Sequence, residues 1–438
     1  MKELFNPDSI AMIGASRSRE KVGYVVFKNL LKSGKKVYAV NPNTKKILGQ
    51  TSYASIKDIP GKVDLAVIAI PAKFVPAAIE ECGIKGVTAA IIISAGFSEA
   101  GNPALEKQLL EAAQKHRIRI LGPNCLGIIM PFSKINSAFF EQMPEKGSIA
   151  FISQSGALGV AVLDWAVQEK MGLSAFVSVG NAADIDFPYL INYFENDSHT
   201  KVICLYIESL KDGRKFLDAA SVAKKPIVVL KAGRTKAGEK AAVSHTAALA
   251  TEDKIYDGVF KQYNLLRVDS LQQMFTAAEF LAVSKAPKGR RGLIVTNAGG
   301  PGVLASDAFE KNRIEVVQLP AELINNLDKF LPGHWSHNNP IDIIGDALPE
   351  RYSQTLEAVK GHKFYDFIML ILTPQEMSEP ADVAKILVNF HKKTGIPCFG
   401  CMMGGKRVEQ AKTILKDAGL LNFEEPEQGA GVISRMIK

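Results

Sequence analysis

Short apolar runs alternate with helical patterns over the first 130 residues of the chain. The runs cover residues 10–13, 36–40, 65–70, 89–93 and 119–121, and the helical patterns between them include residues 24–32 and 76–82. Because the runs are nearly continuous in Val, Ile, Ala and Leu, they fit parallel strands that are covered on both faces. Residues 1–130 are therefore predicted to form a doubly wound α/β domain, whose ligands bind beyond the carboxyl ends of the strands.

Small and turn-forming residues follow the predicted strands. The first strand is followed by Gly14, Ala15 and Ser16, and then by the cations Arg17, Arg19 and Lys21. Glycine lets the backbone approach a phosphate, and the start of the next helix supplies free N–H groups. Later strands end in Asn41, Pro42, Ile93, Ser94, Ala95, Gly96 and Asn124. This edge is predicted to form a shallow crevice for an extended ligand with several phosphates.

An NAD-type site is not expected in this domain. Such a site places Asp or Glu after the second strand to bind the ribose hydroxyls, and no acidic residue occurs from Lys35 to Thr51. The glycine spacing also differs from Gly-x-Gly-x-x-Gly. A Gly-Ala-Ser turn alone fits a structural strand-to-helix turn equally well, so this stretch leaves the ligand open.

Residues 131–147 have poor periodicity and are interpreted as a linker to a second α/β domain, residues 147–285. Its first strand is followed by Ser153, Gln154, Ser155 and Gly156, which open a helix and form a potential anion site. A third α/β domain is predicted over residues 291–438. Residues 151–160 align without gaps on residues 294–303, which contain Gly299 and Gly300. We therefore hypothesise that both domains share a flavodoxin-like unit that presents a helix N-terminus.

A long segment of small residues, residues 231–250, carries His245 between Ser244 and Thr246. Residues 232–242 lack the periodicity of a packed helix or strand, and loops longer than about 12 residues are usually functional or disordered. Glu208 ends a neighbouring strand of the same domain. A carboxylate there is expected to hold one ring N–H of His245 and leave the other nitrogen as a nucleophile. A surface histidine in a flexible loop is the alternative.

The composition narrows the class of protein. The net charge of +8 is mild for 438 residues, and no basic block is interleaved with aromatic residues, so nucleic acid is not an expected partner. The five cysteines are widely spaced and lack the second pair of a zinc site, so we predict buried thiols in a reducing compartment and no metal site. Neither a signal peptide nor an apolar run of about 18 residues is found. A cytoplasmic protein without membrane contact is expected.

These motifs, taken together and in order, resemble the α subunit of ADP-forming acyl-CoA synthetases, relatives of succinyl-CoA synthetase. The resemblance covers essentially the whole chain, and it rests on motifs at residues 14–16, 122–127, 153–156, 180–181, 206–208, 231–234, 244–246, 297–302 and 338–340. It implies an α/β architecture in which a Rossmann-like CoA-binding domain is followed by two flavodoxin-like domains. Two positions depart from the motifs usual in the family, namely Ala182 and Ala247.

The resemblance also implies a reaction: acyl-CoA, ADP and phosphate are converted to a carboxylic acid, CoA and ATP. It implies a phosphohistidine carrier at His245 with Glu208 as its partner. The chain shows neither a Gly-x-x-x-x-Gly-Lys-Ser/Thr loop nor an obvious ATP-grasp stretch. ADP or ATP and Mg²⁺ are therefore expected on a separate ATP-grasp β subunit, in an α2β2 assembly. A non-catalytic CoA sensor is the main alternative, although it would need neither His245 nor Glu208. The preferred acyl group stays open.

Overall fold

The computed structural model describes residues 2–235, 237–238, 253–283 and 286–437. It divides into two compact units, residues 1–269 and residues 270–438. The first unit contains two sheets and the second unit contains one sheet.

The first sheet has the strand order of a Rossmann-like domain. Its strands are β1 Ser9–Ile13, β2 Lys36–Val40, β3 Lys46–Ile47, β4 Gln50–Tyr53, β5 Leu65–Ile68, β6 Ala89–Ile92 and β7 Arg119–Leu121. The accompanying helices are α1 Lys2–Phe5, α2 Val22–Leu31, α3 Val75–Lys85 and α4 Pro103–Lys115. The strands lie in the order β3-β4-β2-β1-β5-β6-β7, with all pairs parallel except β3–β4. The direction of winding therefore reverses between β1 and β5, where ligands bind in such sheets.

Strand β1 lies at the centre of this sheet and is buried on both faces. Ile10 and Met12 join one apolar cluster, and Ala11 and Ile13 join another on the opposite face. The first cluster continues into the second sheet, through residues such as Ile152. This shared core explains why the first two sheets form one compact unit.

The second sheet is flavodoxin-like with an antiparallel extension. Its strands are β8 Ile128–Met130, β9 Ile135–Asn136, β10 Lys146–Ser153, β11 Leu173–Ser178, β12 Val202–Ile207, β13 Ile227–Lys231 and β14 Leu266–Val268. The helices are α5 Gly156–Gln168, α6 Phe187–Asn196, α7 Gly213–Val222 and α8 Asp253–Gln262. The order is β14-β13-β12-β10-β11-β8-β9, so the winding reverses between β10 and β12. The segment interpreted as a linker, residues 131–147, in fact supplies β9 and the start of β10.

The third sheet forms the core of the second unit. Its strands are β15 Arg291–Thr296, β16 Glu315–Val316, β17 Ile341–Asp342, β18 Phe367–Leu372 and β19 Cys398–Met402. The helices are α9 Leu271–Val283, α10 Gly299–Lys311, α11 Ala321–Leu327, α12 Pro349–Val359, α13 Pro380–Thr394, α14 Glu409–Asp417 and α15 Pro426–Met436. Strand β18 pairs with one edge of β15 from Gly292 to Thr296. Strands β16 and β17 pair with the start and the end of β15 and so share its other edge.

Candidate active site at the carboxyl ends of the strands

The turn after β1 brings two backbone segments into close contact. Gly14 has a φ of 93°, and a Cβ atom added there would lie 2.3 Å from the carbonyl oxygen of Ala69. A Cβ atom added to Gly23, in the first turn of α2, would lie 2.0 Å from the carbonyl oxygen of Gly14. Only glycine fits at either position. Because neither residue has a Cβ atom, the start of α2 can lie directly against the turn that follows β1. This is the geometry that a phosphate needs in order to reach helix N–H groups.

Side chains from neighbouring turns hold the rest of this edge. Asn41 donates through Nδ2 to the carbonyl oxygen of Ala15 at 2.8 Å. Ser94 donates through Oγ to the carbonyl oxygen of Ile70 at 2.6 Å and accepts from the N–H of that residue at 3.1 Å. Asn41 and Ser94 were predicted to contact the ligand, and here they connect the turns. Their backbone is also engaged, since the N–H of Asn41 donates to the carbonyl oxygen of Tyr53 and the carbonyl oxygen of Ser94 accepts the N–H of Asn124, both at 2.9 Å.

The remaining predicted residues of this edge differ in exposure. Ala15, Ser16 and Ile93 are buried, Gly96 is half-buried, and Lys21, Pro42 and Ala95 are exposed. The Ser16 hydroxyl accepts the N–H of Ser18 at 3.1 Å. A basic side chain and small backbone segments therefore face solvent along a single edge, as an extended anionic ligand requires.

The turn after β10 places the start of α5 at the point where the second sheet reverses its winding. Ser153 is buried and donates through Oγ to the carbonyl oxygen of Ser155 at 2.8 Å. The Ser155 hydroxyl caps the helix by accepting the N–H of Leu158 at 3.3 Å. The first N–H groups of a helix have no intrahelical partner. The backbone at Gly156 is therefore the more direct anion donor, with the two serines shaping the turn.

The backbone of Glu208 is held beside the start of α5 by two side chains, one from the turn after β10 and one from the end of β13. Gln154 Oε1 accepts the N–H of Glu208 at 2.6 Å and the N–H of Ser209 at 2.9 Å. From the other side, Lys231 Nζ donates to the carbonyl oxygen of Glu208 at 2.9 Å. Gln154 was predicted to bind phosphate, whereas its side-chain oxygen here is occupied by backbone donors. The backbone of Glu208 is therefore held in a fixed position beside the N-terminus of α5.

His245 and the adjacent departure Ala247 lie outside the described residues. The residues that flank this stretch are described, and they form an ion-pair network. Arg234 follows β13, and its Nε lies 3.6 Å from the Oδ2 of Asp253, the first residue of α8. Arg234 also pairs with Asp269, and Arg267 pairs with Asp253 and Asp257. Both ends of the segment that contains His245 are consequently fastened to one cluster of charges.

A polar cluster joins the carboxyl edges of the first two sheets. Asn181 donates through Nδ2 to Glu99 Oε2 at 2.6 Å and to Glu106 Oε2 at 2.8 Å. Asn124 donates to Asn181 Oδ1 at 3.3 Å. Glu99 in turn accepts the N–H of Gly96 at 2.6 Å. The predicted phosphate ligand Asn124 and the predicted ligand loop at Gly96 therefore meet in a single network.

Most of this cluster was not predicted from the sequence. No role was predicted for Glu99 or Glu106, and Asn181 was considered only as part of a motif. The carboxylates lie in ordinary polar helix and turn patterns, so no spacing marks them. Their importance depends on the approach of two domains, which a linear pattern does not reveal.

The third domain repeats the strand-turn-helix arrangement, here called the frame, that opens the second domain. Strand β15 ends at Thr296 and α10 begins at Gly299, as β10 ends at Ser153 and α5 begins at Gly156. Thr296 donates through Oγ1 to the carbonyl oxygen of Ala298 at 2.9 Å, the same contact that Ser153 makes to Ser155. The structure thus supports the gapless alignment of the two turns.

The two glycines that open α10 are exposed. A Cβ atom added at Gly300 would meet open space, whereas one added at Gly299 would lie 3.2 Å from Asp342 Oδ2. A carboxylate is therefore already present beside this helix N-terminus, where it interacts favourably with the helix dipole. An anion bound at Gly299 and Gly300 would have to share that position with Asp342.

Within the described ranges, no group of three or more His, Cys, Asp or Glu side chains is arranged as a possible metal site. None of the helices in those ranges is both long and apolar enough to cross a membrane. All five cysteines are buried and unpaired, as predicted.

The chain matches three families of domains in succession. Residues 8–131 match the CoA binding domain, residues 146–281 match the succinyl-CoA ligase like flavodoxin domain, and residues 292–430 match the ligase-CoA domain. The Rossmann-like and flavodoxin-like architecture predicted from the sequence is confirmed by these matches and by the strand orders.

Similar proteins support the same assignment. The chain is 42% identical to acetate–CoA ligase [ADP-forming] I of Archaeoglobus fulgidus, over 99% of this chain and 63% of that protein, so it spans less than two thirds of that relative. It is 41% identical to the α subunit of acetate–CoA ligase [ADP-forming] II of Pyrococcus furiosus, over 99% of this chain and 96% of that subunit.

A solved structure agrees with these relatives. The dinucleotide forming acetyl-coenzyme A synthetase 1 of Ca. Korarchaeum cryptofilum, in complex with phosphate and ADP, matches with a TM-score of 0.91 at 37% identity. The match covers 99% of this chain and 96% of that chain. From its domain order, its strand topology and these relatives, the chain belongs to the ADP-forming acyl-CoA synthetase family, within the wider group that includes succinyl-CoA ligase.

Proposed function

We propose that this chain is the α subunit of an acyl-CoA synthetase that converts acyl-CoA, ADP and phosphate to a carboxylic acid, CoA and ATP. The observation that carries the proposal is the position of Glu208. It follows β12 at the reversal of the second sheet, beside the start of α5 and next to β13, which leads into the segment that contains His245. A carboxylate, a helix N-terminus and a histidine-bearing segment are the parts that a phosphohistidine carrier needs.

CoA binds along the carboxyl edge of the first sheet in this proposal. The close approach of Gly14 and Gly23 is the observation that fits a phosphate-bearing ligand. Lys21 adds positive charge at the start of α2, and the turns at Asn41–Pro42 and residues 93–96 border the rest of the ligand. The match of residues 8–131 to the CoA binding domain supports the same placement.

The proposed reaction has three group transfers. A phosphate oxygen attacks the thioester carbonyl carbon, and the C–S bond breaks. The products are an acyl phosphate and the CoA thiolate, which takes up a proton. A ring nitrogen of His245 then attacks the phosphorus of the acyl phosphate, the P–O bond to the acyl group breaks, and the carboxylate leaves. An oxygen of the β-phosphate of ADP finally attacks phosphorus, the P–N bond breaks, and ATP and free imidazole remain. Glu208 orients the imidazole and stabilises its charged form.

The helix N-termini stabilise the anions that appear in these steps. Backbone N–H groups near Gly156 bind the phosphoryl oxygens, with Ser153, Gln154 and Ser155 fixing the turn, and Asn124 lies at the adjoining edge. The start of α10 at Gly299 and Gly300 is proposed as a further anion site. Phosphoryl transfer depends mainly on such positioning and charge stabilisation.

A second subunit completes the enzyme in this proposal. We place ADP and Mg²⁺ on an ATP-grasp β subunit, in an α2β2 assembly located in the cytoplasm. A relative supports a partner subunit, since the chain covers 96% of a Pyrococcus furiosus protein that is named as a subunit alpha. Five buried, unpaired cysteines fit a reducing compartment.

Reconstitution tests the proposal. The chain alone should bind CoA without making ATP, and addition of the β subunit should start ATP synthesis from acyl-CoA, ADP and phosphate. His245→Ala should abolish acid-labile phosphate on the protein and ATP formation, with CoA affinity unchanged. Glu208→Gln should slow phosphorylation by about 10²–10⁴-fold. Full turnover by the purified single chain, or by the His245→Ala variant, would overturn the proposal.

A further inference from the structure

The second and third domains share the same strand-turn-helix frame, β10 to α5 and β15 to α10. Residues that are the same in both domains serve the fold, and residues that differ are candidates for a role in the chemistry. Gln154 in the second domain and Asn297 in the third follow the first strand of each domain. Gln154 binds the backbone N–H of Glu208, and Asn297 Oδ1 binds the backbone N–H of Thr373 at 2.9 Å. Because this amide contact occurs in both domains, it belongs to the shared frame.

Two positions of the frame differ in charge. Strand β12 ends at Ile207, which pairs with Lys231 of β13, and strand β18 ends at Leu372, which pairs with Met402 of β19. Lys231 therefore corresponds to Met402, and Glu208 corresponds to Thr373. The second domain carries a buried cation and a carboxylate where the third domain carries a thioether and a hydroxyl.

The environment of Lys231 is unusual for a lysine. Its relative exposure is 6%, its Nζ binds the carbonyl oxygens of Glu208 and Ala232, and it lies 4.8 Å from the centre of the Tyr256 ring. Burying an ammonium group is costly even with hydrogen-bond partners. Met402 fills the equivalent position in the third domain and is fully buried, so the frame does not need a cation there.

We infer that Lys231 is a positioning residue for phosphoryl transfer, a role that rests on the function proposed above. Lys231 binds the carbonyl oxygen of Glu208 and Gln154 binds its N–H, so the main chain that carries the carboxylate is held rigidly. The ammonium also adds a positive charge at the edge of the sheet where a dianionic phosphoryl group is held. In a site shielded from water, such a charge is far more effective than it is in solution.

Lys231→Met tests the inference, because methionine is the residue at the equivalent position of the third domain. In the complex with the β subunit, this variant should lower kcat and the rate of phosphorylation by about 10²-fold or more. The KM for acyl-CoA and the affinity for CoA should stay within about twofold. Lys231→Arg keeps the charge and should recover most of the lost rate.

Lys225→Met is a matched control at the opposite end of the same strand. Lys225 precedes β13, and its Nζ donates to the carbonyl oxygens of Phe194 and Asp197, both at 2.6 Å. This variant also removes an ammonium that binds two carbonyls, so it should lower thermal stability and leave the phosphorylation rate of the folded protein unchanged.

The outcomes separate this inference from the proposed function. If Lys231→Met is phosphorylated at the wild-type rate while Glu208→Gln is slow, the role of Lys231 is refuted and the phosphohistidine mechanism stands. Equal losses of rate in Lys231→Met and Lys225→Met would also refute a specific role. If His245→Ala keeps full turnover, the mechanism falls and the inference falls with it.

Discussion

Asn181 donates a hydrogen bond to the Glu99 carboxylate at 2.6 Å and so joins the turn after β11 to the turn after β6. The contact has an electrostatic consequence for the first unit. Burial opposes ionisation of Glu99, but the hydrogen bonds from Asn181 and from the N–H groups of Gly96 and Phe97 lower its pKa below the ordinary value. A neutral donor at position 181 therefore lets two carboxylates, Glu99 and Glu106, lie side by side.

Asn181→Asp should destabilise the first unit at neutral pH. The substitution replaces a donor by a third carboxylate beside Glu99 and Glu106, and loss of a hydrogen bond to a charged group costs about 1.5–3 kcal/mol. Stability should recover in acid, where protonation of the introduced carboxyl group removes the added charge. Urea unfolding at neutral and at acid pH measures the effect. Asn43→Asp adds the same charge at an exposed position and should be nearly neutral, whereas equal losses in both variants would contradict the prediction.

Asp64 connects the starts of β1 and β5. Its Oδ2 accepts the N–H groups of Asp8 and Ser9 and the Ser9 hydroxyl, each at 3.0 Å. Burial opposes ionisation, but hydrogen bonds from Lys62, Ser9 and the backbone lower the pKa of Asp64 below its ordinary value.

Asp64→Asn should therefore lower the free energy of unfolding by about 1.5–3 kcal/mol at pH 7. The pKa of Asp64 is lower in the folded state than in the unfolded state. The ionised carboxylate therefore contributes its full stabilisation above the unfolded-state pKa of about 4, and this stabilisation is lost as the pH falls through the folded-state pKa. The gap between wild type and variant should close in acid. Asp218→Asn, on the exposed face of α7, serves as the control, and a gap that persists at pH 2 would exclude a charge-dependent role.

Lys21→Glu should weaken CoA binding about tenfold and reduce its salt dependence. The exposed ammonium is placed at the start of α2, so reversal of its charge opposes a ligand with several phosphates. Isothermal titration at two ionic strengths measures both quantities. Lys107→Glu reverses an exposed charge on α4 and should have little effect. An unchanged dissociation constant in Lys21→Glu would move the phosphate site away from α2.

The cysteines should be almost inert in the native state. Burial raises the pKa of the Cys82, Cys125 and Cys401 thiols to about 12, and it also raises the pKa of Cys204 and Cys398. At pH 8 the thiolate fraction is about 10³-fold lower than for a free cysteine, and alkylation by iodoacetamide should slow accordingly. Mass spectrometry with and without urea provides the comparison. Rapid native labelling of any one thiol would show that its burial is incomplete.

Much of the sheet framework is predictable from local pattern. Residues 36–40 and 119–121 were predicted as strands and coincide with β2 and β7. These strands are covered on both faces, so they read as continuous apolar runs. The short strands β3, β4, β8 and β9 were missed because runs of two to four residues are too short to show the period of a strand. Residues 131–147 were interpreted as a linker for the same reason.

The candidate site was only partly predictable. Glycines such as Gly14 stand out because they follow a strand, and the structure shows the close contact that requires them. Whether a polar side chain contacts a ligand or braces a turn depends on distant backbone, so Gln154 and Asn41 were assigned as ligands without knowledge of their internal partners. Lys231 could not be distinguished from a surface lysine, because its burial depends on how β12, β13 and α8 pack together.

The central place of β1 has a consequence for the growing polypeptide. Strand β1 leaves the ribosome before either of its neighbours, and one of them, β5, follows Asp64, which lies 55 residues after Ser9. At about 5–20 residues per second, this strand waits several seconds for its partner. Until β5 emerges, at least one edge of this apolar strand is open to other nascent chains. The delay makes the interval before Asp64 emerges the period in which a holding chaperone would be most useful.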